Sequence, residues 1–253
     1  MAAAASTPLQ ASTIVGPVDG FQPEGGHLPV AGSSHPTAGP LPPWAQLHDF
    51  LPEPDRQALL GYVIASENRF APAAVIDGVG DSNRYDASAR SALTLRDLGP
   101  SGSLLRERLL GALPTLMERT GARPPEPRSL ELELAAYGDG AYFSPHVDMA
   151  VGPGRKPLGA AEGEDRILSA VYYFHSHPRR FSGGELTLYR FGVEPRTAEA
   201  DSSIVIEPLD NSLAAFPSWV THEVRPTRCP SNEFADYRFS LNCWFCRALP
   251  SPP

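Results

Sequence analysis

The chain of 253 residues has little of three things: long apolar segments, cysteine and, in its first part, positive charge. No stretch approaches the roughly 18 consecutive apolar residues of a membrane-spanning helix. The first residues lack both the basic start and the apolar run of a secretory signal. We therefore expect a cytoplasmic protein that neither enters a membrane nor passes through one.

The three cysteines, Cys229, Cys243 and Cys246, are an odd number and form no disulfide framework. Cys243 and Cys246 make a single C-x-x-C, but a structural zinc site needs four ligands, usually in two such pairs. We expect the three cysteines to be reduced thiols that pack in the core or at the surface. The formal net charge of −8 argues against general attraction to nucleic acid or to an anionic membrane, although it allows a local positive pocket for a small anion.

Proline and glycine are abundant, with 28 and 22 residues, about a fifth of the chain. This content excludes a helical bundle or coiled coil. Ten of the prolines fall in the first 54 residues, and no Lys or Arg precedes Arg56. The composition predicts a disordered leader over residues 1–43, one folded domain over 44–248 and a short tail over 249–253.

Hydrophobic periodicity predicts two helices followed by many strands. The helices are expected over 54–66 and 103–120, the second broken or kinked at Pro114. From Ser129 onward the period changes to two. The predicted strands are 129–137, 166–174, 185–191, 203–207, 212–216, 223–225 and 237–245. The order favours a mainly β (α+β) fold, a double-stranded β-helix (jelly roll) with the N-terminal helices packed on the outer face of the major sheet.

An H-x-D tripeptide, His146 and Asp148, follows the first predicted strand. In extended chain both side chains point to the same face, yet such a tripeptide is common and a surface ion pair would explain it. His222, which follows a later apolar strand, makes the pattern more specific. Two His and one Asp form the 2-His-1-carboxylate set that holds Fe(II) and leaves other positions open.

The last predicted strand alternates between polar and apolar residues. Arg238, Ser240 and Asn242 share one face with Trp244. An edge strand would expose this face to solvent, whereas a jelly roll with helices outside would turn it into the barrel. In the second arrangement the planar Arg238 guanidinium is placed to bind a carboxylate through two parallel hydrogen bonds, with the Ser240 hydroxyl two residues further along the strand.

These motifs and their order resemble the 2-oxoglutarate- and Fe(II)-dependent oxygenases, most closely the prolyl 4-hydroxylase-like branch. The segments that carry the resemblance are YGDG at 137–140, FSPHVD at 143–148, GGEL at 183–186, HEVRP at 222–226 and RFS at 238–240. The resemblance extends over about residues 45–247, and the combination is more specific than any one motif.

The resemblance implies that His146, Asp148 and His222 are the catalytic iron ligands. It implies that Arg238, Ser240 and Tyr137 bind the cosubstrate 2-oxoglutarate. In the family the basic residue follows the distal His more closely than Arg238 follows His222. Here residues 229–236 look like an extended hairpin loop, and Arg225 is the competing anchor.

The implied activity is hydroxylation of an unactivated C–H bond in a prolyl, peptidyl or amino-acid-like substrate, with 2-oxoglutarate and O2 converted to succinate and CO2. Ascorbate is a candidate reductant. Because Asp148 is present, halogenation is disfavoured. Desaturation or cyclisation of a natural-product intermediate is an alternative, and a non-catalytic metal-binding jelly roll is a weaker one. The oligomeric state is open.

Two further segments carry alternatives. His175 and His177, with Glu185, could imitate a cupin metal site, although the spacing fits poorly and a position at a strand end is favoured. The Gly- and Ala-rich segment 149–165 follows the H-x-D motif, and it is either a surface loop or a lid over the substrate.

Overall fold

The structure is a computed structural model that describes residues 39–73, 88–122, 129–149, 164–195, 198 and 200–248, together with three short strands outside these ranges. The leader predicted over 1–43 lies mostly outside the described residues, and the tail over 249–253 lies outside them entirely. The proposed domain bounds therefore stay a prediction. No helix among the described residues is long and apolar enough to cross a membrane.

The helices and strands follow the predicted order. The helices are α1 (Glu53–Ala65) and α2 (Gly102–Thr120), with 3-10 turns at Glu67–Arg69, Gly99–Ser101, Ala200–Ser202 and Phe234–Asp236. The strands before α2 are β1 (Thr13–Ile14), β2 (Ala45–Leu47), β3 (Ala71–Pro72), β4 (Val75–Ile76), β5 (Asn83–Arg84), β6 (Arg90–Ser91) and β7 (Leu93–Leu95). The strands after α2 are β8 (Ser129–Tyr137), β9 (Tyr142–His146), β10 (Glu164–Phe174), β11 (Ser182–Gly183), β12 (Leu186–Tyr189), β13 (Ser203–Ile206), β14 (Ser212–Pro217), β15 (His222–Val224), β16 (Thr227–Arg228) and β17 (Arg238–Ala248).

The strands form two main antiparallel sheets. The larger has the order β1-β2-β14-β10-β17-β8-β7-β3, and the smaller has the order β13-β12-β15-β9-β6. Two-stranded ribbons, β11-β16 and β4-β5, complete the topology among the described residues. The prediction of a mainly β chain is confirmed, and most neighbours in the sheets are distant in sequence, as a double-stranded β-helix requires.

Helix α2 is continuous although Pro114 lies within it. The helix is therefore not broken at Pro114, and the alternative of a kink stays a prediction. Proline removes one helical hydrogen bond and crowds the preceding turn, but Leu113 and Leu116 beside it are buried in the core, and their burial favours a continuous helix. The helix ends at Gly121, whose φ of +64° is the left-handed conformation that glycine adopts most readily.

One hydrophobic cluster joins both helices to one face of the larger sheet. Leu59 of α1 and Leu109 of α2 belong to it, as do Leu168 of β10 and Phe245 of β17. This face is thereby withdrawn from water. The opposite face of the same strands points to the smaller sheet, and it carries the polar residues that the sequence analysis singled out.

Candidate metal centre and cosubstrate pocket

The three candidate metal ligands come from two adjacent strands of the smaller sheet. His146 ends β9, His222 begins β15, and the antiparallel register places these two residues directly opposite each other. Asp148 follows two residues after His146, where its backbone N–H donates to the Ser218 carbonyl at 3.0 Å. The sheet pairing thus brings the distal His to the H-x-D motif.

The three side chains converge on one point. His146 Nε2 lies 3.6 Å from Asp148 Oδ1, and His222 Nε2 lies 3.5 Å from Asp148 Oδ2. One potential ligand atom from each residue lies within 4.8 Å of the other two. Two imidazole nitrogens and a carboxylate oxygen suit Fe(II), so the donor set fits the metal that the resemblance implies.

Neighbouring groups hold the ligands in a metal-binding orientation. His146 Nδ1 lies 2.8 Å from the Ser144 carbonyl, and His222 Nδ1 lies 2.8 Å from the Val220 carbonyl. Each Nδ1 then carries the proton and each Nε2 lone pair faces the centre. The Ser169 hydroxyl donates to Asp148 Oδ2 at 2.7 Å. Such contacts fix ligand geometry before a metal arrives.

Burial and charge keep the ligands in the protonation states that a metal needs. Burial, with the neighbouring His146, lowers the pKa of His222 from 6.5 to about 4. Burial alone would raise the pKa of Asp148, but His222, His146 and Arg166 outweigh it and hold that pKa well below its usual range. The His222 imidazole is therefore neutral and the carboxylate ionised near neutral pH.

Arg238 opens β17 and points into the space between the sheets. Its side chain is fully buried, with the guanidinium carbon 4.6 Å from the Tyr137 ring centroid and 4.8 Å from that of Tyr173. Nη1 donates to Ser240 Oγ at 3.3 Å. Its Nε and Nη2 have no hydrogen-bond partner among the described residues. A buried cation without an anion is costly, which indicates that an anion completes this pocket.

Three buried hydroxyls in the described part of the chain have no hydrogen-bond partner, those of Tyr173, Thr187 and Thr227, and the first and last of them belong to residues close to Arg238. A Cβ at Gly184 would lie 2.8 Å from Thr227 Oγ1 and 3.2 Å from Arg238 Nε, so the absence of a side chain at Gly184 allows these two groups to approach the backbone closely. Burial raises the pKa of Tyr173 to about 12, so its hydroxyl keeps its proton. Arg238, Tyr173 and Thr227 thus form a cradle of hydrogen-bond donors suited to a carboxylate.

Residues 132–246, which include all of these site residues, match the family model for the 2OG-Fe(II) oxygenase superfamily. The matched segment is just under half of the chain. It is 30% identical over 207 residues to an uncharacterized PKHD-type hydroxylase of Synechocystis sp. (strain ATCC 27184 / PCC 6803 / Kazusa), a match over 81% of this chain and 64% of the relative. The chain thus spans less than two thirds of that relative's length.

Two solved structures share the fold of this chain. A prolyl-4-hydroxylase of Pseudomonas putida aligns with a TM-score of 0.54 and 21% identity, over 85% of this chain and 95% of the other. A prolyl hydroxylase of Trichoplax adhaerens aligns with a TM-score of 0.53 and 18% identity, over 80% and 82% of the two chains.

The structure places the two candidate anchors in different surroundings. Arg238 lies inside the barrel, whereas the Arg225 side chain is 44% exposed, with its Nε 3.9 Å from Glu223 Oε1. Arg225 and Glu223 alternate along the chain with His222 and Val224, which line the cleft. The same alternation directs Arg225 away from the cleft.

Sequence reasoning missed a second buried guanidinium at the cleft. Arg90 Nη2 donates to Glu133 Oε1 at 3.0 Å, and its guanidinium carbon lies 4.9 Å from the Phe143 ring centroid. Phe143 stacks on His146 with centroids 3.5 Å apart. Arg90 lies in a strand of two residues, which is too short for any periodic signal. Tyr173 and Thr227 were also missed.

The remaining candidates lie away from the triad. All three cysteines are buried, and burial raises the pKa of Cys243, consistent with an unreactive thiol in the core. His175 and His177 approach Asp210, and the cupin-like alternative with Glu185 is not the arrangement found. Most of the candidate lid, residues 150–163, lies outside the described residues, so that alternative stays untested.

Proposed function

We propose that this protein is a 2-oxoglutarate- and Fe(II)-dependent dioxygenase that hydroxylates a C–H bond of a prolyl, peptidyl or amino-acid-like substrate. The observation that carries the proposal is the pairing of a His-Asp-His centre with a cradle of unpartnered donors in the same cleft. A binding module without turnover would not need both.

Each residue has a definite part in this proposal. His146, Asp148 and His222 would hold Fe(II), which with 2-oxoglutarate supplies the O2 activation typical of the family. Arg238, helped by Tyr173 and Thr227, would bind the distal carboxylate of 2-oxoglutarate. Ser240 would orient the Arg238 guanidinium, with which it shares a hydrogen bond. Tyr137 would cover the guanidinium on one side.

A second cavity of about 240 Å³ is our candidate for the substrate cleft. Its wall includes Met149, which follows the ligand Asp148, and the exposed Trp219. Arg166 lines this cavity, and its guanidinium carbon lies 3.8 Å from the ring centroid of Trp244, which lines the cleft that holds the triad. A cleft with aromatic, aliphatic and cationic groups suits a peptide segment.

One comparison supports the hydroxylase chemistry and another supports a peptidyl substrate. The Synechocystis relative carries the name of a PKHD-type hydroxylase. The Trichoplax structure holds a peptide fragment of the hypoxia inducible factor oxygen degradation domain. We extend this substrate class to the present chain as a proposal, and ascorbate as the reductant remains a prediction.

The cofactor part is tested without a substrate. Anaerobic addition of Fe(II) and then 2-oxoglutarate to the full chain should produce the weak visible charge-transfer absorption of the chelate. His146→Ala should abolish the band, and His48→Ala, a histidine outside the triad, should retain it. Absence of the band from the wild type, or its persistence in His146→Ala, contradicts the iron assignment.

The substrate part is tested by turnover. We expect prolyl peptides to stimulate succinate formation above the uncoupled rate and to gain 16 Da, which mass spectrometry detects. Free amino acids and carrier-bound amino acids are the comparison set. If only one of those stimulates turnover, the dioxygenase stands and the peptidyl substrate class does not.

A further inference from the structure

A second cluster of metal-binding residues lies outside the proposed active site. His175 follows the end of β10, His177 lies in the next turn, and Asp210 lies two residues before β14. One potential ligand atom from each lies within 4.8 Å of the other two. His175 comes six residues after Ser169, the residue of β10 that contacts Asp148, which is roughly 20 Å of extended chain. The cluster is therefore separate from the triad.

The two imidazoles are already oriented for a shared ligand. His175 Nδ1 lies 2.9 Å from the Ser176 carbonyl, which places the proton there and leaves Nε2 as a lone-pair donor. His177 Nε2 lies 2.7 Å from Asp210 Oδ2, and the two rings are 5.2 Å apart. A divalent ion would replace the proton between His177 and Asp210 and would also reach His175.

The surrounding charges hold Asp210 in place. Its Oδ1 accepts a hydrogen bond from the His175 backbone N–H at 2.9 Å. Arg56 lies 3.4 Å from the carboxylate, but its stronger partner is Glu53, with two hydrogen bonds of 2.7 Å. Because the shorter hydrogen bonds of Arg56 go to Glu53, the Asp210 carboxylate keeps the capacity to bind a cation.

We propose that His175, His177 and Asp210 form a second divalent metal site, suited to Zn²⁺ and similar transition ions rather than to Mg²⁺. Two imidazoles and one carboxylate are the donors that zinc prefers, whereas magnesium requires oxygen ligands. His177 is 60% exposed, so water completes the coordination. The ion ties the end of β10 to the segment before β14, so it stabilises this end of the larger sheet without joining the reaction.

Zinc alone is the probe, with the full chain freed of metal. Equilibrium dialysis followed by elemental analysis should find two Zn²⁺ per wild-type chain, one at each cluster. His177→Gln should weaken zinc binding at its own cluster at least tenfold and so lose one equivalent of zinc. Asp148→Ala should lose the other equivalent. The double variant should lose both. His48→Gln is the matched control and should retain both.

His177→Gln changes an exposed side chain, so the variant should fold, and its melting curve checks this. Zinc should raise the melting temperature of Asp148→Ala but not that of Asp148→Ala/His177→Gln. Turnover of 2-oxoglutarate by His177→Gln with iron should stay within about twofold of wild type. Equal zinc binding by wild type and His177→Gln overturns the proposal, and it does so whether or not the protein proves to be a dioxygenase.

Discussion

The two faces of strand β17 carry opposite chemistry within one backbone. The inward face has Arg238 and Ser240 against the smaller sheet, while the outward face has Phe239 and Phe245 against the helices. All four of these side chains are buried. The outward residues form a packed hydrophobic cluster, whereas the inward face contains a guanidinium with two unpartnered nitrogens among the described residues.

This difference shows how to distinguish residues that pack the core from residues that serve function when both kinds are buried. Outward apolar residues gain free energy by leaving water. An inward cation gains nothing in this way, because burial of an unpaired charge costs several kcal/mol. The inward face is therefore expected to carry activity and the outward face stability. Each of the following predictions distinguishes an effect on activity from an effect on stability.

The largest effect is expected at the metal centre. Asp148→Ala removes the carboxylate that both imidazoles approach, so iron binding and succinate formation should fall at least about 1,000-fold. Iron content and turnover provide the measurement. A variant that retains iron and activity would remove Asp148 from the ligand set.

The outward face should respond in stability. Phe245→Ala leaves a cavity in the cluster beneath the helices, so the free energy of unfolding should fall by about 3–5 kcal/mol. The Michaelis constant for 2-oxoglutarate should not change in the folded fraction. Leu110→Ala, at a position of α2 that is 49% exposed, is the control and should change stability little. Urea unfolding and initial rates measure both quantities.

The anchor residue should show the reverse behaviour. Arg238→Met removes the buried cation, so the Michaelis constant for 2-oxoglutarate should rise about 100-fold, equivalent to ~2.7 kcal/mol, while stability stays the same or increases. Arg225→Met is the matched control and should leave the constant unchanged. If Arg225→Met raises the constant instead, the anchor assignment moves to that residue.

A smaller effect concerns the pH dependence of the metal-free protein. The pKa of His222 is lowered to about 4 in the fold, so between pH 6.5 and 4 the unfolded chain binds a proton that the folded protein does not. Stability should therefore fall by about 2 kcal/mol between pH 7 and pH 5 from this group. Urea unfolding of His222→Gln should lack this component, and identical pH profiles for the two proteins would refute it.

The smallest effect is expected at Tyr173, whose hydroxyl has no partner within the described residues. Tyr173→Phe removes one donor from the cradle, so the Michaelis constant for 2-oxoglutarate should rise about tenfold. The control is Tyr172→Phe. The Tyr172 hydroxyl donates to Asn211 Oδ1 on the outward side at 2.9 Å, and its loss should affect stability only. Equal constants for the two variants would remove Tyr173 from the cradle.

Hydrophobic periodicity was sufficient to predict the long helices and strands. The chemistry of the side chains was sufficient to predict the types of metal ligand. Helix α2 and strand β8 begin within one residue of their predicted starts, because their apolar faces repeat over several turns or pleats. Short strands such as β6 were not predicted, since two residues show no period. Arg90 was missed with it, although its guanidinium lies at the cleft.

The inward direction of individual residues depended on a local irregularity. In β10, Arg166 pairs with Cys246 and Leu168 pairs with Phe245, so Ile167 is an extra residue that shifts the alternation. As a result Arg166 and Ser169 face inward although three positions separate them. A bulge of this kind is set by pairing with a distant strand, and alternation within the segment does not reveal it.

The sequence by itself determined the donor chemistry of this protein: two imidazoles, a carboxylate and a candidate arginine on period-two segments. It left open whether the polar face of residues 238–245 meets water or the barrel interior. Only the tertiary structure decided that question, because helices pack on the apolar face. It also placed Tyr173 and Thr227 beside Arg238, since the register between strands distant in sequence sets which side chains meet.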